Sequence, residues 1–318
     1  MCRGESVIER PFFIVGSERS GTTLLRLMLD HHPLLACHFE FEHAVDMIQD
    51  DGSFPPIEEY RRWLPTQRSF SGSGVLIDPS LDFPQLVDSF LVQKRERDGK
   101  KLVGGTVHKH FDRLRYVWPE ACFIHIIRDG RDVARSCVAM GWAGNGWGGA
   151  DRWITAETLW DELRGKLSTS DYCEIRYEDL IREPRKVLTE ICEFIGVEFD
   201  ERMFRYAETS TYELPDPKLV HQWKVKASEE EIRIMEAKMG EILVRRGYEL
   251  SGLPELRVDE RLAHRLEKED RQARRRFRIN RYGFMLLAME NLSRRLPFRP
   301  FHSHFSARID EIDLRYIK

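Results

Sequence analysis

The 318-residue chain has little of what would place it in a membrane, in a disulfide-stapled scaffold or on a nucleic acid. Its opening stretch, MCRGESVIERPFFIVG, has no long apolar core ahead of its charges and reads as neither a signal peptide nor a membrane span. The six cysteines, Cys2, Cys37, Cys122, Cys137, Cys173 and Cys192, form no CxxC pair, and several sit in apolar runs where a thiol packs as a small hydrophobe. A reducing, cytoplasmic setting is the expectation. A formal net charge of −3 is too nearly balanced for a general nucleic-acid binder, although the C-terminal third is basic. No internal repeat is visible. What the chain does have is 42% hydrophobic residues, ample for the core of one large α/β domain or two modest ones.

Short apolar segments alternate with helical patterns, which is the signature of a mainly parallel sheet covered on both faces. Strands are expected near 12–16, 101–107, 122–127 and 173–177, and helices from about 20, 129 and 184 and over roughly 151–169, 228–246 and 257–278. The Pro-, Gly- and Ser-rich stretch from 50 to 85 reads as an insertion or lid. WAGNGWGGADRW (142–153) reads as a mobile loop offering tryptophan for stacking.

The first strand runs into GSERSGTTLL (16–25). Gly16 and Gly21 permit a tight turn, and Ser20, Gly21, Thr22 and Thr23 present unpaired amides at a helix N-terminus, where an anion is favoured. A phosphate-binding loop of the Walker type needs Lys at 22 and Ser or Thr at 23, with the hydroxyl on magnesium. Position 22 is threonine, and the only cation in the loop is Arg19. A second strand-to-helix segment, CFIHIIRDGRDVARS (122–136), puts Arg128 at a strand's C-terminal end and Ser136 two helical turns on, a pairing suited to a second phosphate. The bland readings are an ordinary strand-to-helix turn and an Arg-Asp cap. Together the two segments describe one nucleotide with two phosphate sites.

In these segments the chain resembles the sulfotransferases that use 3′-phosphoadenylyl sulfate (PAPS), over about residues 10 to 250, and most closely the bacterial and tyrosylprotein group. The resemblance implies an α/β, P-loop-like three-layer fold with a mainly parallel central sheet flanked by helices. It implies that GSERSGTTLL is the 5′-phosphosulfate loop, with Arg19, Ser20, Gly21, Thr22 and Thr23 on the donor. FIHIIRDGRDVARS is similar to the 3′-phosphate motif, which gives Arg128 and Ser136 to that phosphate. IRYEDLIREPRKVLTEICEFIGVEF (175–199) resembles the segment whose tyrosine, here Tyr177, lies near the nucleoside. HQWKVKASEEEI, with Lys224, resembles the late segment that closes over the nucleotide. The implied products are a sulfated hydroxyl acceptor and 3′,5′-bisphosphoadenosine (PAP). Where many relatives carry a Lys-Thr or Lys-Asp-Pro turn, this chain has GGTVHKHFD (104–112).

Sulfuryl transfer resembles phosphoryl transfer, with a loose in-line transition state, so positioning and fixed cations carry most of the catalysis. Arg19 is placed to neutralise the leaving phosphate, a role that dispenses with a divalent metal, and no clear magnesium-binding acid pair is present. The acceptor still needs a base. Glu40, His108 and His110 are the candidates, each just past a strand on the sheet's C-terminal side; Glu40 leads through the group's spacing after SGTTLLRLMLDHHP. Glu42 and two histidines compete in CHFEFEH, Lys109 is a lesser candidate for the sulfate oxygens, and a zinc site from His108, His110 and His125 is weaker because the last falls mid-strand.

Residues 1–250 are thus expected to form the sulfotransferase domain and 251–318 a basic helical extension. RLAHRLEKEDRQARRRFRINRYGFMLLAMENLSRRLPFRP (261–300) reads as a solvated or subunit-packing helix, or as a basic amphipathic element for a membrane surface or an acidic acceptor. The acceptor stays open among small molecules, glycans, lipids and peptides bearing a hydroxyl, with no nucleic acid. The rivals are a P-loop kinase or NTPase and a nonenzymatic nucleotide-sensing scaffold.

Overall fold

The computed structural model describes residues 8–293 and, beyond them, only residues 305, 308, 309, 312 and 313. The chain divides into two compact units: one runs up to Asp129 and resumes over Trp153–His221, the other comprises Gly130–Arg152 and the chain from Gln222.

The first unit holds the whole sheet. Its strands are β1 (Phe12–Val15), β2 (Leu35–His38), β3 (Leu102–Val107), β4 (Cys122–Ile127) and β5 (Tyr172–Arg176), in the order β2-β3-β1-β4-β5. Every pairing is parallel. Strands β1 and β4 are buried at every position, as a parallel sheet covered on both faces requires, which is why FFIV and CFIHII read as unbroken apolar runs. Alternate side chains divide the core. Phe13 and Val15 pack with Phe83, Leu86, Val87, Phe90 and Leu91 of the helix Phe83–Asp98. Phe12 and Ile14 face Leu24, Leu25, Met28 and Leu29 of α1 (Thr22–Asp30), with Val187, Leu188 and Ile191 of the helix Pro184–Ile195. The register sets Val15 beside Val107, so the residues that follow, Gly16 and His108, leave the sheet together. β1 is also where the strand order turns from one side of the sheet to the other, the place such sheets bind ligands.

The stretch from 50 to 85 is not a lid. Tyr60, Leu64, Phe70, Val75 and Leu81 all enter the core beneath the sheet, and the buried Tyr60 hydroxyl donates to the His43 carbonyl at 2.8 Å. Ile57, Tyr60 and Leu64 recur at helical spacing within it, an apolar stripe that outweighs the surrounding prolines and glycines. Strand β2, four residues long, went unexpected because LACH carries no more pattern than a turn.

The glycine-rich stretch 142–153, all but Trp153 in the second unit, is a packing device and not a mobile loop. A helix already begins at Gly146. Asp270 Oδ1 accepts the Gly144 N–H at 2.7 Å, and a Cβ on Gly148 would stand 2.1 Å from that same oxygen. A Cβ on Gly144 would stand 2.2 Å from the Asp270 carbonyl oxygen, so glycine is needed here for the two segments to approach. Among the described residues the unit's other helices include Gly130–Ala139, the short Trp223–Lys226, Glu229–Arg245, Glu260–Tyr282 and Phe284–Ser293. Among the described residues no helix is long and apolar enough to cross a membrane. The five described cysteines form no disulfide; four are buried, and burial pushes the Cys37 thiol up to about 12.

One buried charge group sets a pH dependence for the fold. His125, in the middle of β4, is stacked on Trp160 at 4.4 Å, with its Nε2 3.3 Å from Glu157 Oε1 and its Nδ1 3.6 Å from Glu174 Oε1. Burial alone would lower its pKa, but the Glu157 and Glu174 carboxylates outweigh it and the net shift is upward. A raised histidine contributes stability in full below the unfolded value of about 6.5, and loses it as pH rises through the folded value. His38 and His43 act oppositely, since burial lowers them to about 4 and about 3. Their contribution is present above about pH 6.5 and is lost as the pH falls. Melting temperature measured against pH should therefore decline on both sides of about 6.5. In His125→Gln the decline between about pH 6.5 and 8 should shrink while the acid one stays, leaving the losses that the raised Glu42 carboxyl and the buried thiols bring as pH climbs further; an unchanged fall just above about pH 6.5 would show that His125 is neutral in the fold.

Candidate active site

The loop between β1 and α1 is built for close approach. Gly21 caps α1 with φ 98°, a left-handed conformation, and a Cβ on it would lie 2.3 Å from the Tyr177 ring. Arg19 also has a positive φ, 69°, unusual for a residue with a side chain. The turn closes through Ser20 N–H donating to the Ser17 carbonyl at 3.2 Å. Ser20 Oγ is fully buried and makes no hydrogen bond among the described residues. A buried hydroxyl without a partner costs stability, and it is satisfied by an oxygen-rich group seated at the helix start. Thr22 is buried and Thr23 half-buried in the first turn of α1, which contains no acidic residue to repel an anion.

Arg128, at the end of β4, binds this loop to its surroundings. Its Nη1 donates to the Arg19 carbonyl at 3.3 Å, its Nη2 to the Leu219 carbonyl at 3.2 Å, and its guanidinium lies 4.3 Å from the centre of the Tyr177 ring. Tyr177 is buried as the first residue of the helix Tyr177–Arg182. Arg19, Ser20, Gly21, Arg128 and Tyr177 are thus brought together. The turn after β4 is held by Glu178, which sequence reasoning passed over: its buried Oε1 accepts the Asp129 N–H at 3.0 Å. The acid directly after Tyr177 in YEDL was the available signal.

The other edge of the loop meets the acid–histidine cluster. His108 Nδ1 lies 3.1 Å from the Gly16 carbonyl, as the β1–β3 register dictates, and the His108 N–H donates to Glu42 Oε1 at 3.0 Å. Burial pushes the Glu42 carboxyl up to about 7; the neighbouring Glu40 charge adds to the rise and His108 opposes it. Glu40 itself is half-buried in the link between β2 and the short turn Glu42–Ala44. His110 caps the following turn in a left-handed conformation, φ 53°, and its charge acts on Asp46. The exposed Lys109 pairs with Glu18 of the loop at 3.4 Å. His38 and His43, the competing histidines, stand among Phe41, Phe70 and Phe90 and are held neutral by burial. His125 belongs to the Glu157–Glu174 group, away from His108 and His110, and among the described residues no His, Cys, Asp and Glu cluster is arranged to hold a metal ion.

The remaining expected residues belong to the second unit. Ser136 is half-buried in the helix Gly130–Ala139. Lys224 is exposed, 5.5 Å above the Trp223 ring, which also carries the Arg131 guanidinium at 3.6 Å. The buried Arg131 is fixed by Glu236 at 2.6 Å and the Glu249 carbonyl at 2.9 Å, and Asp132 Oδ1 accepts the Trp223 N–H at 2.7 Å.

Residues 11–201 match the model of the sulfotransferase family. The chain is 23% identical over 210 residues to protein-tyrosine sulfotransferase A of Caenorhabditis elegans, covering 62% of this chain and 53% of that protein. It is 26% identical over 219 residues to protein-tyrosine sulfotransferase 1 of Danio rerio, covering 62% and 56%. The chain therefore spans about half the length of these relatives. Its fold is similar to that of the sulfotransferase domain from the Synechococcus PCC 7002 olefin synthase, with TM-score 0.56 and 21% identity over 79% of this chain and 98% of that one.

Proposed function

The chain belongs to the sulfotransferase family, and from that premise we propose that it moves the sulfuryl group of 3′-phosphoadenylyl sulfate to a hydroxyl acceptor. The observation that carries the reading is the β1–α1 loop, where Ser20 Oγ is buried without a partner beside helix-start amides and the lysine of a Walker loop is absent. When bound, the donor supplies an activated sulfuryl group and a phosphate leaving group. Ser20, Gly21, Thr22 and Thr23 hold its 5′ side, Arg19 neutralises charge on the leaving oxygen, and Tyr177 with Arg128 over its ring takes the nucleoside and the 3′-phosphate. The acceptor's proton passes to the cluster formed by Glu40, Glu42 and His108, with Glu42 as the group that takes it. A base that titrates near neutrality combines a useful ionised fraction with a real pull on the proton, and Glu42 is the carboxyl here at about 7.

The test of donor identity is comparative calorimetry. PAP should bind far more tightly than 5′-AMP, because each charge-assisted hydrogen bond to the 3′-phosphate is worth about 1.5–3 kcal/mol. Arg128→Gln should erase most of that preference, and Ser136→Ala reads the contribution of the other residue in the same motif. Equal affinity of the wild-type chain for the two nucleotides would overturn the assignment.

A further inference from the structure

We propose that the second unit carries a docking groove for anionic phospholipid at a bilayer surface, lying between the helices Glu260–Tyr282 and Phe284–Ser293. The sequence alternates its chemistry across the turn at Gly283, whose φ of 82° ends the first helix. On that helix Arg271, Arg274, Arg275 and Arg278 recur at i, i+3, i+4 and i+7 and so share one face. On the second, Phe284, Leu287, Ala288 and Asn291 recur at the same spacing. Both stripes line a single cavity of about 440 Å³, with Trp142 and Ile279 completing its apolar side.

One wall of the groove is therefore cationic and the other mostly apolar, with Asn291 as its one polar member. Two of the four charges are not spent internally. Arg274 pairs with Asp270 at 2.7 Å and Arg271 reaches Glu267 only at 3.8 Å, while Arg275 and Arg278 make no ion pair among the described residues. Between 271 and 282 there are six arginines and no acidic residue. An occupant must bring negative charge to one wall and hydrocarbon to the other, which a soluble phosphate supplies only in half. Phe284, lining the groove, and Met285, outside it, stand 66% and 74% exposed at the start of the second helix, as on an element lying in a headgroup layer. Among the described residues this helix is ten residues long, too short to span, and the proposed contact is with the bilayer surface. Arginine suits this position because its stem lies along acyl chains while its guanidinium reaches phosphate. The inference rests on the second unit alone and is independent of the donor chemistry.

The experiment is cosedimentation of the full chain with phosphatidylcholine vesicles and with vesicles doped with phosphatidylglycerol. Binding should appear only with the anionic vesicles and should weaken as salt is raised. Arg275→Glu with Arg278→Glu should lower the partition coefficient at least about tenfold, at roughly 1 kcal/mol per arginine near an anionic surface. Phe284→Ser with Met285→Ser should also weaken it, with unchanged circular dichroism and PAP binding showing that both variants fold. Equal binding to neutral vesicles would overturn the proposal, as would charge reversal without effect. So would competition by polyglutamate or inorganic phosphate at matched ionic strength that abolishes binding, together with indifference to the Phe284/Met285 change, since the groove would then be a plain anion site.

Discussion

Arg19→Ala should lower kcat by about 10²- to 10³-fold, the usual cost of removing one fixed donor from developing charge. Affinity for PAP should fall much less. The expectation begins with what the loop lacks: Thr22 stands where a phosphate loop would carry lysine, and Arg19 is the only cation in GSERSGTTLL. The backbone accommodates it at a cost, with φ at 69°, and the Arg19 carbonyl is held by Arg128 at 3.3 Å. An interaction that strengthens as the leaving oxygen gains charge appears in kcat and not in product binding. Arg19→Lys, which keeps the charge and loses the planar fork, should fall between the two. Steady-state kinetics with calorimetry on the same preparations separate these effects, and activity should persist in EDTA. Equal losses in turnover and PAP affinity would make Arg19 a simple binding residue, and strict magnesium dependence would return the site to phosphoryl chemistry.

The parts of this site that were legible in the sequence are those where one physical demand dominates. Buried parallel strands must be apolar on both faces, so β1, β3 and β4 stood out within a residue of their observed bounds, whereas the edge strand β5, YCEIR, is mostly half-buried and was marked by its place in the alternation of strands and helices. The turn at Gly21 needs a residue without a Cβ against Tyr177, and its glycine marked the loop. Where two demands compete, the pattern misleads. The glycines of 142–153 suggested mobility, yet Gly148 serves a close approach to Asp270. The prolines of 50–85 suggested an excursion, yet Tyr60 and Leu64 are fully buried. Glu42 shows the limit most plainly. In FEFEH, Glu40 and Glu42 each follow a phenylalanine and share the same parity, so a strand reading cannot part them. The short turn Glu42–Ala44 breaks that alternation and turns the Glu42 carboxylate onto the His108 N–H, a contact 66 residues apart in the chain.

That coupling gives the last expected result, a pair of variants with different pH signatures. Glu42→Gln should lower kcat by about 10²- to 10⁴-fold, the range for a positioned general base, and should remove the ascending limb of the pH–rate profile. In the wild type that limb should lie near pH 7, because the base works only when ionised and burial holds the Glu42 carboxyl at about 7. Glu40→Gln is the informative partner. The Glu40 charge contributes to the raised value, so its removal should let Glu42 ionise more readily and move the limb to lower pH, with most of the plateau rate kept. His108→Ala probes the same group from the other side: the His108 N–H remains to hold the carboxylate, while loss of the imidazole charge should move the limb upward. Rates would be taken with one accepted hydroxyl substrate across pH, with PAP affinity confirmed unchanged in each variant. If Glu40→Gln collapses at every pH while Glu42→Gln keeps both its rate and its limb, the proton goes to Glu40 and Glu42 only braces the turn. If His108→Ala alone collapses, the imidazole beside Gly16 is the base, and the raised carboxyl behind it serves to orient it.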